Sequence, residues 1–158
     1  MKITFSLANS DDTPTLQHLW EDAHAFHHGA DYLPELNNSY KNFSKKHERQ
    51  FDAFFDGKME DGEIFIAYNE DKPVGYTWLT LCSEYDDVVK LTEVFGVEKG
   101  LGKPAIQKAE DFARENGRSI IELESYEESV GFYEKMGFET EEDKAVQRPG
   151  LVPCVKFL

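Results

Sequence analysis

The stretch from Val97 to Phe138 constrains the fold more than any other part of the chain. An apolar run ends at Val97, and Gly100 and Gly102 follow, one residue apart, just before Pro104. Glycine permits a tight turn and proline favours the first turn of a helix, so the sequence predicts a strand, a Gly-rich turn and a helix. The N-terminus of a helix presents backbone N–H groups with partial positive charge, which can bind phosphate. A glycine pair alone is also compatible with an ordinary strand-to-helix turn.

The second half of this stretch predicts another strand and a short helix. Residues 119–124, Ser-Ile-Ile-Glu-Leu-Glu, have the composition of a strand. Ser125 and Glu128 have the spacing of a capping box, which predicts the start of a helix. Gly137 is the expected end of that helix, and Phe138 begins the next strand. The predicted order is therefore strand, Gly-rich turn, helix, strand, helix, strand.

Together these segments resemble the GNAT superfamily of acyl-CoA-dependent N-acetyltransferases. The resemblance rests on the Gly-rich turn and on Phe132, Tyr133, Gly137 and Phe138, which match the family's Phe-Tyr-x-x-x-Gly-Phe segment. It implies an α/β protein with three layers, α/β/α, around a mixed and mainly antiparallel sheet. It also implies acetyl-CoA as co-substrate, with no metal expected. A length of 158 residues fits a single domain over residues 1–158.

By this resemblance the Gly-rich turn holds the pyrophosphate of coenzyme A, and the segment around Tyr126 and Ser129 lies beside the pantetheine arm. Lys99 and Lys103 could supply positive charge to the phosphates. The predicted cofactor-binding residues are Phe95, Gly96, Val97, Lys99, Gly100, Leu101, Gly102, Lys103, Tyr126 and Ser129.

The turn departs from the family pattern in ways that leave a second interpretation open. Val97 stands where Gln or Arg is usual, the turn is shortened, and Tyr126 stands where Asn is frequent. The first interpretation is an enzyme that moves an acetyl group from acetyl-CoA to a primary amine by direct attack in a ternary complex. The alternative is a catalytically degenerate GNAT-fold module that binds acyl-CoA or a partner.

Two residues are candidates for catalysis. The family places the hydroxyl that corresponds to Tyr133 near the coenzyme sulfur, where a phenol can donate a proton to the departing thiolate. Glu93 is the candidate base, because simple alternation along residues 91–95 puts it on the same face as Leu91 and Phe95. Core packing is the alternative for Tyr133, and a solvated carboxylate with water as base is the alternative for Glu93. Backbone N–H groups of residues 95–97 could polarise the thioester carbonyl, and Gly96 would permit a close approach.

The first helix carries a cluster of histidines. His24, His27 and His28 lie on one side of it. A wall of the acceptor cleft or a partly exposed helix end is a more plausible role for them than metal binding, because no further ligand cluster is apparent. In this superfamily the first two helices usually shape the acceptor pocket. The predicted acceptor contacts are Asp31, Tyr32, Glu35 and Trp78.

The net charge of −14 disfavours nucleic-acid partners and favours a cationic acceptor, a small-molecule or peptidyl amine, although acidity for solubility alone is an equal alternative. The sequence contains neither a membrane-length apolar run nor a signal-peptide pattern, so we expect a cytoplasmic protein without membrane contact. Cys82 and Cys154 are expected to be buried free thiols. A homodimer is plausible from the resemblance alone.

The remaining sequence predicts a meander between helices. Thr13 is the predicted N-cap of a helix that reaches about His28, and a second helix covers much of residues 44–59. A cofactor helix should begin at Pro104 and end at Gly117. The predicted strands are residues 2–7, 64–68, 74–81, 88–97, 119–124, 138 to about 146, and 152–157.

Overall fold

The computed structural model describes residues 2–28, 38–141 and 150–158 of the chain. The helices in these ranges are α1 (Thr13–His28), α2 (Asn38–Phe55), α3 (Gly102–Glu115) and α4 (Val130–Lys135). The strands are β1 (Ile3–Leu7), β2 (Gly62–Asn69), β3 (Lys72–Leu81), β4 (Val88–Gly96), β5 (Ile120–Tyr126), β6 (Glu139–Thr140) and β7 (Leu151–Phe157).

The strands form one mixed sheet in the order β1-β2-β3-β4-β5-β7-β6. The first four strands are an antiparallel meander, as the sequence predicts. β4 and β5 run parallel, since α3 connects them, and β7 is antiparallel to both β5 and β6. The predicted fold class, a three-layer α/β domain with a mixed and mainly antiparallel sheet, is confirmed.

Each face of the sheet has its own apolar core. On one face, α1 and α2 contribute Leu16, Trp20 and Phe51, which pack on Tyr76 and Trp78. On the other, α3 supplies a stripe of buried side chains that spans several strands. That stripe consists of Ala105, Ile106, Ala109, Phe112 and Ala113. Because its cluster contains Leu91 of β4 and Ile121 of β5, α3 holds these two strands together.

Three predicted helix starts are wrong in detail. Asn9, not Thr13, accepts the capping hydrogen bond, in a capping box with Asp12 that starts a 3-10 turn leading into α1. α3 begins at Gly102, two residues before Pro104. Ser125 makes no capping box, because β5 continues through Tyr126 and the Ser125 hydroxyl donates to the Tyr126 carbonyl.

The other element boundaries agree with the sequence to different degrees. α2 starts earlier than predicted, at Asn38, and ends earlier, at Phe55. Gly117 and Gly137 follow α3 and α4 with φ of +67° and +94°, the left-handed conformation expected after a helix. The strand predicted from Phe138 is observed at Glu139–Thr140, and its continuation through residues 142–146 lies outside the described residues. None of the helices in the described part of the chain has the length and apolarity needed to cross a membrane.

The Gly-rich turn is packed against the sheet through Leu101. This side chain is buried with Ala67 and Val74, and it fills the space above two strand glycines, Gly75 and Gly96. A Cβ atom at Gly75 would lie 2.5 Å from the Phe95 carbonyl oxygen and 3.2 Å from Leu101 Cδ1. The meander therefore needs glycine at this position.

Gly75→Ala should lower the free energy of unfolding by about 1–3 kcal/mol, because the backbone of β4 and Leu101 must both shift. Gly131→Ala is the matched control, since a Cβ there meets no atom within 4 Å. Alanine is preferred to glycine inside a helix, so the control should be unchanged or gain up to about 1 kcal/mol. Urea unfolding of both variants measures the difference, and equal values for the two would contradict the steric argument.

Candidate active site

The strands β4 and β5 separate part of the way along the sheet. Their pairing covers only three residue pairs, from Val88 with Ile120 to Lys90 with Glu122. Both strands continue beyond this point, β4 to Gly96 and β5 to Tyr126. A gap therefore opens between them in the middle of the sheet.

A cavity of about 410 Å³ occupies this gap. Residues 91–95 of β4 and 123–126 of β5 form its two sides. His24 of α1 lines it from one face of the sheet, and Ser129 and Tyr133, which follow β5, line it from the other. Its walls also carry the carboxylates of Glu93, Glu124 and Glu128, so the cavity has an acidic lining.

The orientation of Glu93 differs from the alternation that the sequence predicts. Trp78 of β3 pairs with Glu93, but Leu79 pairs with Leu91, so Thr92 is an extra residue in β4. This β-bulge reverses the alternation. Leu91 packs in the core beneath α3, whereas Glu93 lies on the α1/α2 face, as Phe95 does. The prediction that Glu93 shares a face with Leu91 is therefore wrong.

Two buried side chains contact the Glu93 carboxylate. Its Oε2 lies 2.8 Å from His47 Nε2, and its Oε1 accepts a hydrogen bond of 3.0 Å from the Tyr76 hydroxyl. The Glu93 side chain is 17% exposed and that of His47 is 7% exposed. Burial, followed by the charge and hydrogen bond of Glu93, raises the pKa of Tyr76 well above its usual range. The Tyr76 phenol thus remains a neutral donor.

Sequence reasoning missed His47 and Tyr76 as parts of this site. His47 precedes Phe51 by one helical turn and follows Ser44 by three residues, which places all three on the inner stripe of α2. A polar residue on the apolar stripe of a helix is a detectable signal. The sequence gives a weaker indication for Tyr76, because aromatic residues in central strands usually pack in the hydrophobic core.

Tyr133 is half-buried at the cavity wall. Its ring contacts Phe132 and Phe138 edge-on, and it packs against the core beneath α3. Burial, with a smaller effect from Cys154, raises the pKa of Tyr133 to about 12. The hydroxyl therefore stays protonated at any pH near neutrality, and the residue both packs in the core and lines the cavity.

The predicted cofactor residues of the Gly-rich turn divide into exposed and packed groups. Lys99, Gly100 and Lys103 are exposed. Gly100 has a φ of +89°, a conformation that favours glycine. Leu101 is buried against Gly96, so the close approach predicted at Gly96 is made by that side chain.

The remaining predicted cofactor residues lie on both sides of the gap. Val97 N–H donates to the Val74 carbonyl over 2.9 Å, so this donor is part of the strand pairing. A Cβ at Gly102 would lie 2.6 Å from the Phe132 ring, so Gly102 packs directly against α4. The three others, Phe95, Tyr126 and Ser129, line the cavity.

The residues predicted to contact the acceptor do not all line the cavity. Trp78 is 2% exposed and packs against Phe51 and Phe54, so it belongs to the core and not to the cavity. His24 lines the cavity, and its Nδ1 donates to the Trp20 carbonyl over 2.7 Å. The other predicted contacts, Asp31, Tyr32 and Glu35, lie outside the described residues.

Neither the described histidines nor the described cysteines form a metal site. Among the described residues, no group of three or more His, Cys, Asp or Glu side chains is arranged to hold a metal ion, and the side chains of His27 and His28 are outside that description. Cys82 and Cys154 are free thiols, the first partly and the second fully buried. Burial raises the pKa of both thiols, which makes them poor nucleophiles.

Comparison with known proteins identifies relatives by sequence. The model of the acetyltransferase (GNAT) family matches residues 29–138. An uncharacterised N-acetyltransferase of Methanocaldococcus jannaschii is 30% identical over 130 residues, which cover 71% of this chain and 57% of that protein. A Bacillus subtilis protein named as an acetyltransferase is 29% identical over 92 residues, 58% of this chain and 62% of that protein. The chain thus spans less than two thirds of the length of these relatives.

Solved structures share the fold. The PaiA N-acetyltransferase of Thermoplasma acidophilum, in complex with coenzyme A, has a TM-score of 0.68 at 19% identity, with 100% of both chains covered. The yncA protein of Salmonella typhimurium, solved with acetyl-CoA, has a TM-score of 0.63 at 14% identity and covers 99% of this chain and 94% of its own. At these identities the likeness concerns the fold alone. With the family model matching more than half of its residues, this chain belongs to the GNAT family of acetyltransferases.

Proposed function

We propose that this protein transfers an acetyl group from acetyl-CoA to a primary amine of a small molecule or peptide, by direct attack in a ternary complex. The observation that carries the proposal is the cavity between β4 and β5, with Glu93 and Tyr133 both on its walls. One is a carboxylate that can accept a proton, and the other is a neutral phenol that can donate one.

The acyl-CoA would bind at the Gly-rich turn with its thioester reaching into the cavity. The first turn of α3 begins at Gly102, and its backbone N–H groups with Lys99 and Lys103 suit the pyrophosphate. Two solved structures with this fold are described with coenzyme A or acetyl-CoA. Because Phe132 packs on Gly102, the turn is joined directly to α4, which carries Tyr133.

Starting from the neutral amine, the reaction needs two proton movements. The amine nitrogen attacks the thioester carbonyl carbon and loses a proton to Glu93, and the carbon–sulfur bond breaks. The electrons of that bond remain on sulfur, which takes up a proton from solvent to give free coenzyme A, and Glu93 releases its own proton to solvent. The products are an N-acetylated amine and a thiol, so atoms and charge balance.

Tyr133 would stabilise the departing sulfur. Its pKa of about 12 lies above that of an ordinary thiol, near 8.5, and each unit of difference makes complete proton transfer less favourable by about 1.4 kcal/mol. The favoured role is therefore a hydrogen bond from the phenol to the developing thiolate, which strengthens as negative charge builds up on sulfur.

The acceptor should be a cation before it reacts. The cavity is lined by Glu93, Glu124 and Glu128, and the whole chain has a net charge of −14. Carboxylates at the walls favour an ammonium group over a neutral or anionic molecule of the same shape. An ammonium acceptor then has to release one further proton, to solvent, before its nitrogen can attack.

Lys103→Glu should weaken acetyl-CoA binding about tenfold, because it puts a carboxylate beside the expected pyrophosphate position. Lys45→Glu is the matched control, with the same change of charge at an exposed position of α2. Calorimetric titration with acetyl-CoA measures both affinities, and the difference should shrink at high salt. Equal affinities for the two variants would contradict binding at the Gly-rich turn. This pair is preferable to a substitution at Gly102, which would collide with Phe132.

Tyr133→Phe should lower kcat about 10- to 100-fold while the affinity for acetyl-CoA stays near that of the wild type. The variant keeps the aromatic ring that packs against Phe138 and removes only the hydroxyl. Because the pKa of Tyr133 is about 12, the phenol is neutral throughout the range from pH 6 to 10, and the loss should be constant across that range. The rate of coenzyme A release with a panel of primary amines measures this loss of turnover. Unchanged turnover would remove the proposed role, and absence of turnover with every amine would favour the non-catalytic alternative.

A further inference from the structure

A chain of buried polar side chains leads from the Glu93 carboxylate into the space between α1, α2 and the sheet. His47 Nδ1 lies 3.3 Å from Gln17 Oε1, and the Gln17 amide contacts Ser44 Oγ at 2.7 Å. The Ser44 hydroxyl in turn donates to Glu21 Oε1 over 2.6 Å. Gln17, Ser44 and His47 are each less than 10% exposed. Buried polar groups require partners, and here each member has them.

The donors and acceptors of this chain favour one tautomer of His47. Gln17 Nε2 lies 2.8 Å from the Ser44 backbone carbonyl, which can only accept a hydrogen bond. The NH₂ group of Gln17 must therefore face Ser44, and its carbonyl oxygen must face His47. An amide oxygen also only accepts, so a hydrogen on His47 Nδ1 is the arrangement that gives Gln17 Oε1 a donor, at 3.3 Å.

The same reasoning places one proton between His47 and Glu93. The distance from Nε2 to Oε2 is 2.8 Å, which is a hydrogen-bond distance. An ionised carboxylate and a bare imidazole nitrogen are both acceptors, so they cannot approach this closely without a hydrogen between them. Tyr76 already donates its own hydrogen to Oε1, so the shared proton belongs to the His47–Glu93 pair.

We propose that His47 and Glu93 form one proton-accepting unit, with His47 and Gln17 as positioning residues for the base. This inference rests on the proposed acetyl transfer. In the accepting state, His47 is neutral with its hydrogen on Nδ1, and Glu93 is ionised. When the amine N–H bond breaks, an O–H bond forms at Glu93, and the proton comes to lie between Oε2 and Nε2. The 2.8 Å separation of Nε2 and Oε2 fits the state that has taken up the proton.

The pairing gives the accepted proton two atoms to bind, Glu93 Oε2 and His47 Nε2, which lie 2.8 Å apart. An imidazole nitrogen and a carboxylate oxygen at this distance can hold one proton between them as a unit. Such a unit accepts the proton of the amine without leaving a buried carboxylic acid beside a bare imidazole nitrogen. Gln17 contributes by holding the Nδ1 hydrogen in place, which leaves Nε2 free to share the new proton.

Other ionisable groups face this unit from the elements packed around it. Tyr76 of β3 donates directly to Glu93, and Glu21 of α1 is connected through Ser44. The cavity side carries further groups, namely His24, Glu124, Tyr126, Glu128 and Tyr133. The nearby carboxylates favour uptake of the proton, and Tyr76 contributes a hydrogen bond without charge.

The state of His47 can be measured without any activity. In nitrogen-15 spectra of histidine-labelled protein, the His47 signals are those missing from His47→Gln. In the wild type we expect Nδ1 to carry a hydrogen at every pH and Nε2 to lose its proton as the pH rises. In Glu93→Gln, Nε2 should lose its proton at lower pH. Gln17→Met should give a mixture of the two His47 tautomers, and a melting curve checks that this variant folds. A wild-type His47 with its hydrogen on Nε2 alone, or a titration unaffected by Glu93→Gln, would overturn the shared proton.

The kinetic test compares the pH dependence of kcat, since kcat does not include the titration of the free amine. His47→Gln keeps a donor for Glu93 but cannot hold the proton, so kcat near neutral pH should fall about 10-fold or more. The acid limb of the profile should move to lower pH, because only a carboxylate remains. His18→Gln is the matched control, the same change at a histidine of α1 that is 72% exposed.

An unchanged acid limb in His47→Gln would overturn the joint base even if kcat falls. If the wild type transfers acetyl to no amine, the proposed function and the base role fail together, while the nitrogen-15 spectra still report whether the proton is shared. The two failures are therefore distinguishable.

Discussion

The structure depends on the point at which β4 and β5 separate. Three residue pairs join these parallel strands, and beyond Lys90 and Glu122 the pairing stops. The β-bulge at Thr92 lies immediately after this point, and a bulge bends its strand and increases the twist. A sheet that splits in its middle needs support from another layer, and α3 supplies it by packing against strands on both sides of the gap. The cavity and the approach from α4 follow from this separation, and the bulge places Glu93 on the α1/α2 face of the sheet.

Much of the fold could be predicted because its local signals agree with its tertiary structure. The spacing of Ala105, Ala109, Phe112 and Ala113 predicts the buried face of α3, and these residues are buried. The predictions that failed depend on a single residue or on a neighbouring strand. Simple alternation along β4 predicts Leu91 and Glu93 on the same face of the sheet, and they lie on opposite faces. The extra residue Thr92 shifts the register by one, and a shift of one residue moves each following side chain to the other face. The capping box at Ser125 was wrong because pairing with Val152 of β7 keeps Ser125 in the sheet.

The sequence motifs of the candidate site could be recognised, but the residues that contact Glu93 from other elements could not. A family pattern or a strand position draws attention to the Gly-rich turn, Glu93 and Tyr133, and Glu93 and Tyr133 both line the cavity. His47 was not found, since Lys45, Lys46, Glu48 and Arg49 surround it in the sequence and make the segment look solvent-exposed. Its partner Gln17 lies 30 residues away, and only the packing of α1 against α2 brings the two together. Local sequence patterns do not contain such a contact.

The packing of Gly96 against Leu101 and of Gly102 against Phe132 has a consequence for comparing members of this family. Both glycines lack room for a Cβ atom because of neighbouring side chains of the same chain. Selection for a folded protein would therefore retain them whether or not coenzyme A is bound. A change of either glycine would therefore disturb the packing of the fold even in a protein that had lost acetyl transfer. The proposed chemistry, by contrast, would depend on Glu93 and His47, whose loss leaves the packing at both glycines unchanged.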